Sequence, residues 1–285
     1  MASGDLAAEV PAAVARAAAG EERARIRGRT ADEDRMAAEN NFPEKQLSEF
    51  VSRMQQAAGE NLESVVLYGS AVTGEYDPGF SNINLLCFLR DASFPKLQAL
   101  APAVEWWFKA GHRPPMLITR EELEHSLDVF VIELMDIRRQ HKVLFGPDFM
   151  ATLEIPMTLH RAQLEYELRE KLILLRQHLL LAANEPEQIW ALLLRSLPAF
   201  ATLCRHAVIA QGQPVPATKR DAIQELARSL GFDAAPFLAL LDIREHKAER
   251  SQFKVAELAA QYLAAVERVT AAVDRMLDKP EIKGS

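Results

Sequence analysis

The chain has 285 residues, enough for two ordinary domains with their own cores, and 49% of them are apolar against 26% charged, the profile of a water-soluble globular protein. Its formal charge is −7, which argues against a general nucleic-acid binder or a binder of anionic membranes, because both reward clustered Lys and Arg. Its two cysteines, Cys87 and Cys204, lie in apolar stretches; they make neither a disulfide framework nor a cysteine-rich zinc site and fit a reducing, cytoplasmic setting.

No segment is expected to cross a membrane. The best candidate, IWALLLRSLPAFATLC at 189–204, is interrupted by Arg195 and Pro198 and reads as too short. The N-terminus lacks an apolar signal core, and Asp5, Glu9, Glu21 and Glu22 argue against a transit peptide.

Residues 1–42 are rich in Ala, Glu and Arg and poor in large apolar residues. Such a segment buries too little surface to offset its ordering entropy, so a disordered or weakly helical tail is expected. Beyond Phe42-Pro43, Leu47, Phe50, Val51 and Met54 fall at helical spacing, and Gly59 is a natural stop. VVLYGS at 65–70 reads as a strand ending in Gly-Ser. AVTGEYDPGFS is dense in turn residues, and NINLLCFL at 82–89 reads as a second strand that opens polar and becomes fully apolar. Leu97, Leu100, Ala101, Val104, Trp107 and Phe108 make a helical stripe. PMLIT at 115–119 is a third strand, and EELEHSL is a short helix with Thr119 as its N-cap. FVIEL at 130–134 is read as a fourth strand, and DIRRQHKVLFG as a helical turn followed by a short apolar run.

From about 159 to 278 every segment reads as helix. Leu164, Leu168, Leu172, Leu175 and Leu179 form one seam; Ile189, Leu193, Phe200 and Leu203 form another, with a kink expected at Pro198. QGQPVPATK is a loop, and Val255, Leu258, Tyr262, Val266, Val269 and Val273 form the last seam. The expected layout is an α/β (α+β) domain with a small mixed sheet over 43–150 and an all-helical bundle over 151–285. Exposed leucine seams in the bundle would suit a homodimer.

The chemistry concentrates in LYGSAVTGEYDPGFSNINLL. A strand ends at Gly69-Ser70, and the next opens with Asn82 and Asn84, which at i and i+2 face the same way. Gly69 lets the backbone approach a ligand closely, and the amides after it can open a helix N-terminus suited to phosphate. The bland alternatives are an ordinary strand-to-helix turn and a strand start capped by asparagines.

This stretch resembles the nucleotidyltransferase superfamily, above all the small bacterial nucleotidyltransferases and the aminoglycoside nucleotidyltransferases. Their signature is Gly-Ser, a gap of roughly ten residues, then Asp-x-Asp on the next strand. The resemblance implies a compact α/β domain followed by a helical one, with Gly69 and Ser70 as phosphate-binding residues. It also implies Mg2+ at the Asn82 and Asn84 positions. Both aspartates are asparagine here, so a neutral carbonyl stands where magnesium wants a carboxylate. Weak metal binding or none is expected, with impaired transfer. In the family a third carboxylate on a later strand completes the site; Glu133 is the candidate, as catalytic base, and its alternative is a surface role. Asp77 reads as a turn residue capping its own backbone.

The basic run Arg138, Arg139, His141 and Lys142 reads as a solvated helix face, with contact to a triphosphate as the alternative. His112, His125, His160, His178, His206 and His246 show no metal-ligand spacing and are assigned surface or core roles. Trp106 is read as packing rather than stacking on a base. Three functions follow. The first is an impaired nucleotidyltransferase-like protein that still binds a nucleotide or another phosphorylated small molecule. The second is an active Mg2+-dependent enzyme moving a nucleoside monophosphate onto a small-molecule or protein hydroxyl. The third is a non-catalytic regulatory or scaffold protein acting through the bundle.

Overall fold

The computed structural model describes residues 43–76, 81–183 and 185–277. The expected N-terminal tail and Asp77 lie outside the described residues. From Glu44 onward the described residues belong to one compact unit.

Helix α1 (Glu44–Ala58) buries Leu47, Phe50 and Met54, three of the four residues of the sequence stripe. Strand β1 (Leu62–Tyr68) follows, then a single helical turn, α2 (Ser70–Thr73), then β2 (Asn84–Leu89). Helix α3 (Phe94–Lys109) leads to β3 (Met116–Thr119) and the short α4 (Arg120–His125). Thr119 caps α4 as read from sequence: its side chain accepts from the Glu122 amide while Glu122 accepts from the Thr119 amide.

The fourth strand is not FVIEL. That run starts helix α5 (Val131–Arg139), and the strand is β4 (His141–Phe145), the segment read as a short apolar run. The cause is burial on two sides. Ile132 packs into the core of the helical half, whereas Leu134 and Ile137 pack under the sheet. A helix buried on both flanks shows a nearly continuous apolar run, and over five residues that pattern does not differ from a buried strand.

The sheet has the order β3-β2-β1-β4, with β1 antiparallel to β2 and β4, and β2 parallel to β3. Alternation gives it two apolar faces. Val66, Leu86 and Phe88 pack against Leu123, Leu134, Ile137 and Met150. On the other side α1 and α3 meet through Phe50 and Trp107, whose rings lie 4.8 Å apart. Gly146 closes β4 at φ +75, and a Cβ there would stand 2.0 Å from the Glu63 carbonyl oxygen. The buried Ser64 hydroxyl sits between the carbonyls of Phe145 and Pro147, at 2.9 and 2.8 Å.

Helices α6 (His160–Ala182), α7 (Pro186–Ala210), α8 (Lys219–Leu230), α9 (Ala235–Arg244) and α10 (Val255–Leu277) build the helical half. The three leucine and valine seams read from sequence meet in one core that runs from Leu164 to Val273. Helix α7 continues through Pro198 and extends well beyond the apolar stretch seen in the sequence. By length and composition it is long and apolar enough to cross a membrane, which corrects the expectation that the segment is too short. In the structure 61% of its most apolar window is buried, with Leu193, Leu194 and Leu197 at the centre of the helical core. Cys87 and Cys204 are free and buried, and burial pushes both thiols up to about 12.

Candidate functional site

The ends of β1 and β2 place the Gly-Ser turn beside the first asparagine of β2. Tyr68, the last residue of β1, pairs directly with Asn84, the first of β2. Gly69 then turns the chain at φ 79 and ψ −154, a conformation that side chains with a Cβ rarely adopt. A Cβ at Gly69 would stand 2.9 Å from Asn84 Nδ2. Glycine is therefore required twice, for the turn and for the close approach of the Asn84 amide. Ser70 opens α2, and the Val72 amide already donates to the Gly69 carbonyl at 3.0 Å. With only one turn behind it, this N-terminus carries a smaller fixed partial charge than a long helix would.

Asn82 lies two residues before β2, exposed to solvent, while Asn84 is half-buried. Residues Asn84, Leu86 and Phe88 alternate onto the face covered by α5. Glu133 comes from that helix rather than from a strand. Its carboxylate accepts from Gln163 Nε2 at 2.7 Å, and Gln163 Oε1 accepts from the Ile132 amide at 3.0 Å. Glu133 does act on Tyr68 at the end of β1 electrostatically. Tyr68 has its hydroxyl held above the usual range, first by burial and then by the Glu133 charge, while Arg113 pulls the other way. Tyr68 thus has Gly69 next to it in the chain, Asn84 opposite it in the sheet and the Glu133 charge acting on it, although Glu133 is committed to a glutamine on α6.

The strand beside β2 offers no carboxylate. Met116 opens β3 and pairs with Leu86, so it lies on the same face as Asn84, one strand over, and is 44% exposed. Among the described residues no group of three His, Cys, Asp or Glu side chains is placed to hold a metal ion.

Reading from sequence missed a buried polar network one turn further along α5. Arg205 Nη1 donates to Asp136 Oδ1 at 3.0 Å, and His206 Nε2 lies 3.3 Å from the same oxygen. His160 Nε2 lies 2.8 Å from His206 Nδ1. Burial alone would raise the Asp136 pKa, but the hydrogen bonds and charges of His206 and Arg205 outweigh it and hold the carboxyl below its ordinary value. The sequence signal was Arg205-His206 within the apolar run ATLCRHAVIA. A charged pair inside a buried stripe needs a partner, and Asp136 supplies it.

The sheet order and the glycine turn before β2 are those of a nucleotidyltransferase-type domain. Residues 44–140 match the sequence family described as the nucleotidyltransferase domain. Among solved structures, the chain is similar to spectinomycin adenyltransferase AAD(9) from Enterococcus faecialis, crystallised with ATP and spectinomycin. The TM-score is 0.50 at 14% identity, over 84% of this chain and 100% of that one. A nucleotidyltransferase-like protein from Exiguobacterium sibiricum 255-15 matches with a TM-score of 0.32 at 12% identity, over 82% of this chain and 78% of that one. At such identities the likeness to AAD(9) is one of fold. A search of the curated proteins finds no match.

Proposed function

We propose that this chain is a nucleotidyltransferase-like protein whose cleft keeps nucleotide or phosphate binding while its transfer chemistry is impaired. The observation that carries this reading is the Asn84 amide packed against Gly69, where the family places a metal-binding carboxylate. Magnesium does not fit these residues. Asn82 and Asn84 are neutral, Met116 heads the neighbouring strand, and Glu133 is bound to Gln163. Hard divalent cations are held by charged oxygens in this kind of site, and two missing charges beside a triphosphate remove most of the attraction. A nucleotide would then be held by the chain's own donors near the Gly69-Ser70 turn and by Arg113. The AAD(9) structure contains ATP, which supports a nucleotide as the ligand of such a fold.

The test is calorimetry of the full chain with ATP and GTP, with and without Mg2+, beside a labelled-nucleotide transfer assay. Binding that is indifferent to Mg2+, without transfer, is expected. Transfer of label would show a working enzyme instead, and absence of any nucleotide binding would favour a scaffold acting through its helices.

A further inference from the structure

A cavity of about 370 Å3 lies between α5 and α7, within the size range of small-ligand sites. Arg138 and Arg139 at the end of α5 line it together with Arg205 of α7. Met157, Ile209 and Val215 give it an apolar side. Three arginines thus line it beside one carboxylate, Asp136, in a chain whose formal charge is −7.

The protein satisfies this charge only in part. Arg205 is 8% exposed and gives Nη1 to Asp136, while its buried Nε has no hydrogen-bond partner among the described residues. An unmet buried donor is costly, and more so on a charged group. Arg139 donates Nη2 to the Pro216 carbonyl at 2.8 Å, a neutral acceptor. Its own charge is disfavoured first by burial and then by the nearby Arg205, with Asp136 only partly offsetting them. Two like charges are therefore held close to one another with a single anion between them, beside an open apolar wall.

We propose that this cavity binds a phosphate monoester carried on a small apolar body, at a site separate from the Gly69 turn. After Asp136 neutralises one guanidinium, two positive charges remain, which match a phosphate dianion better than a carboxylate. Arginine forks suit phosphate oxygens in paired hydrogen bonds, and Met157, Ile209 and Val215 would cover the organic part.

The experiment uses the full chain and three probes at constant ionic strength: inorganic phosphate, phenyl phosphate and benzoate. Calorimetry and thermal shift are expected to show phenyl phosphate binding more tightly than inorganic phosphate and both more tightly than benzoate. Arg138→Gln and Arg139→Gln, both solvent-facing enough to fold, should each weaken phenyl phosphate about tenfold. Gly69→Ala should leave that affinity unchanged. The proposal is overturned if neither phosphate binds at millimolar concentration, or if both arginine variants bind as the parent does. A loss of phenyl phosphate binding in Gly69→Ala also overturns it, by moving the site to the turn; ATP binding, measured in parallel, reports on that cleft independently.

Discussion

His160 and His206 are hydrogen-bonded to each other in the buried interior, Nε2 to Nδ1 at 2.8 Å, and the pair ends on Asp136. Because a carboxylate only accepts, the His206 nitrogen facing Asp136 carries a proton, and in the neutral ring its other nitrogen accepts from His160. The chain His160–His206–Asp136–Arg205 therefore ties α6 and α7 to α5, the helix that covers the sheet.

Acid should loosen that tie in a defined window. Burial, then the like charges of His206 and Arg161, lower His160 from 6.5 to about 4. The folded chain thus binds this proton less readily than the unfolded chain. The stabilisation is complete above pH 6.5 and is lost as pH falls from there towards 4, by about 3 kcal/mol in all. Asp136, with its lowered pKa, loses its contribution further down, below the ordinary carboxylate range. Urea unfolding across that window checks this. His160→Gln, which keeps a donor but does not titrate there, should flatten the slope; an unchanged slope would assign the acid sensitivity elsewhere.

Gly146→Ala should be among the most damaging single changes in the sheet. Its φ is +75 and the added Cβ would meet backbone at 2.0 Å, an atom that has no side chain to swing away. A loss of about 3 kcal/mol or more is expected in the unfolding free energy. Gly74→Ala is the control. It shares the positive φ, +74, but has nothing within 4 Å, so only the conformational cost of about 1 kcal/mol should appear. Equal losses in the two variants would mean that the β4 closure relaxes freely.

Gly69→Ala should act differently again. The atom in its way is Asn84 Nδ2, the end of a side chain that can rotate. The fold should survive with a loss of about 1–2 kcal/mol, while the Asn84 amide is pushed away from the turn. Nucleotide affinity should drop with it. Retained affinity at reduced stability would show that the turn shapes β1 without contributing to a ligand site.

How much of this was legible follows from where each residue is buried. The nucleotidyltransferase-type sheet could be read because VVLYGS, NINLLCFL and PMLIT are short β-branched or apolar runs bounded by glycine, asparagine and proline, and the helical half because its seams repeat at helical spacing. FVIEL misled because Ile132 and Leu134 face different cores on opposite sides of one helix, which erases the polar side that marks a surface helix. Glu133 was therefore placed on a strand it does not occupy. The Asp136–Arg205 pair joins residues 69 apart in sequence, and no local pattern encodes such a contact. Asn84 beside Gly69 was readable because strand pairing across a short turn fixes it.

Placing carboxylates at positions 82 and 84 is the most direct probe of the proposed metal position. Asn84 and Met116 lie on one face of adjacent parallel strands, with Asn82 just before the first. Asn82→Asp with Asn84→Asp, and then Met116→Glu added, would place two and then three carboxylates at the open end of the sheet. Without metal these like charges repel, so each variant should melt below the parent. Mg2+ binds only the folded arrangement and should reverse the loss, by about 2.7 kcal/mol when its concentration is a hundredfold above the dissociation constant. The parent should show no such dependence. The triple variant should respond at lower Mg2+ than the double, because the third charge completes an oxygen-rich site. If Mg2+ shifts neither variant's melting temperature, the side chains at 82 and 84 do not converge on a common point, and these positions are not a metal site.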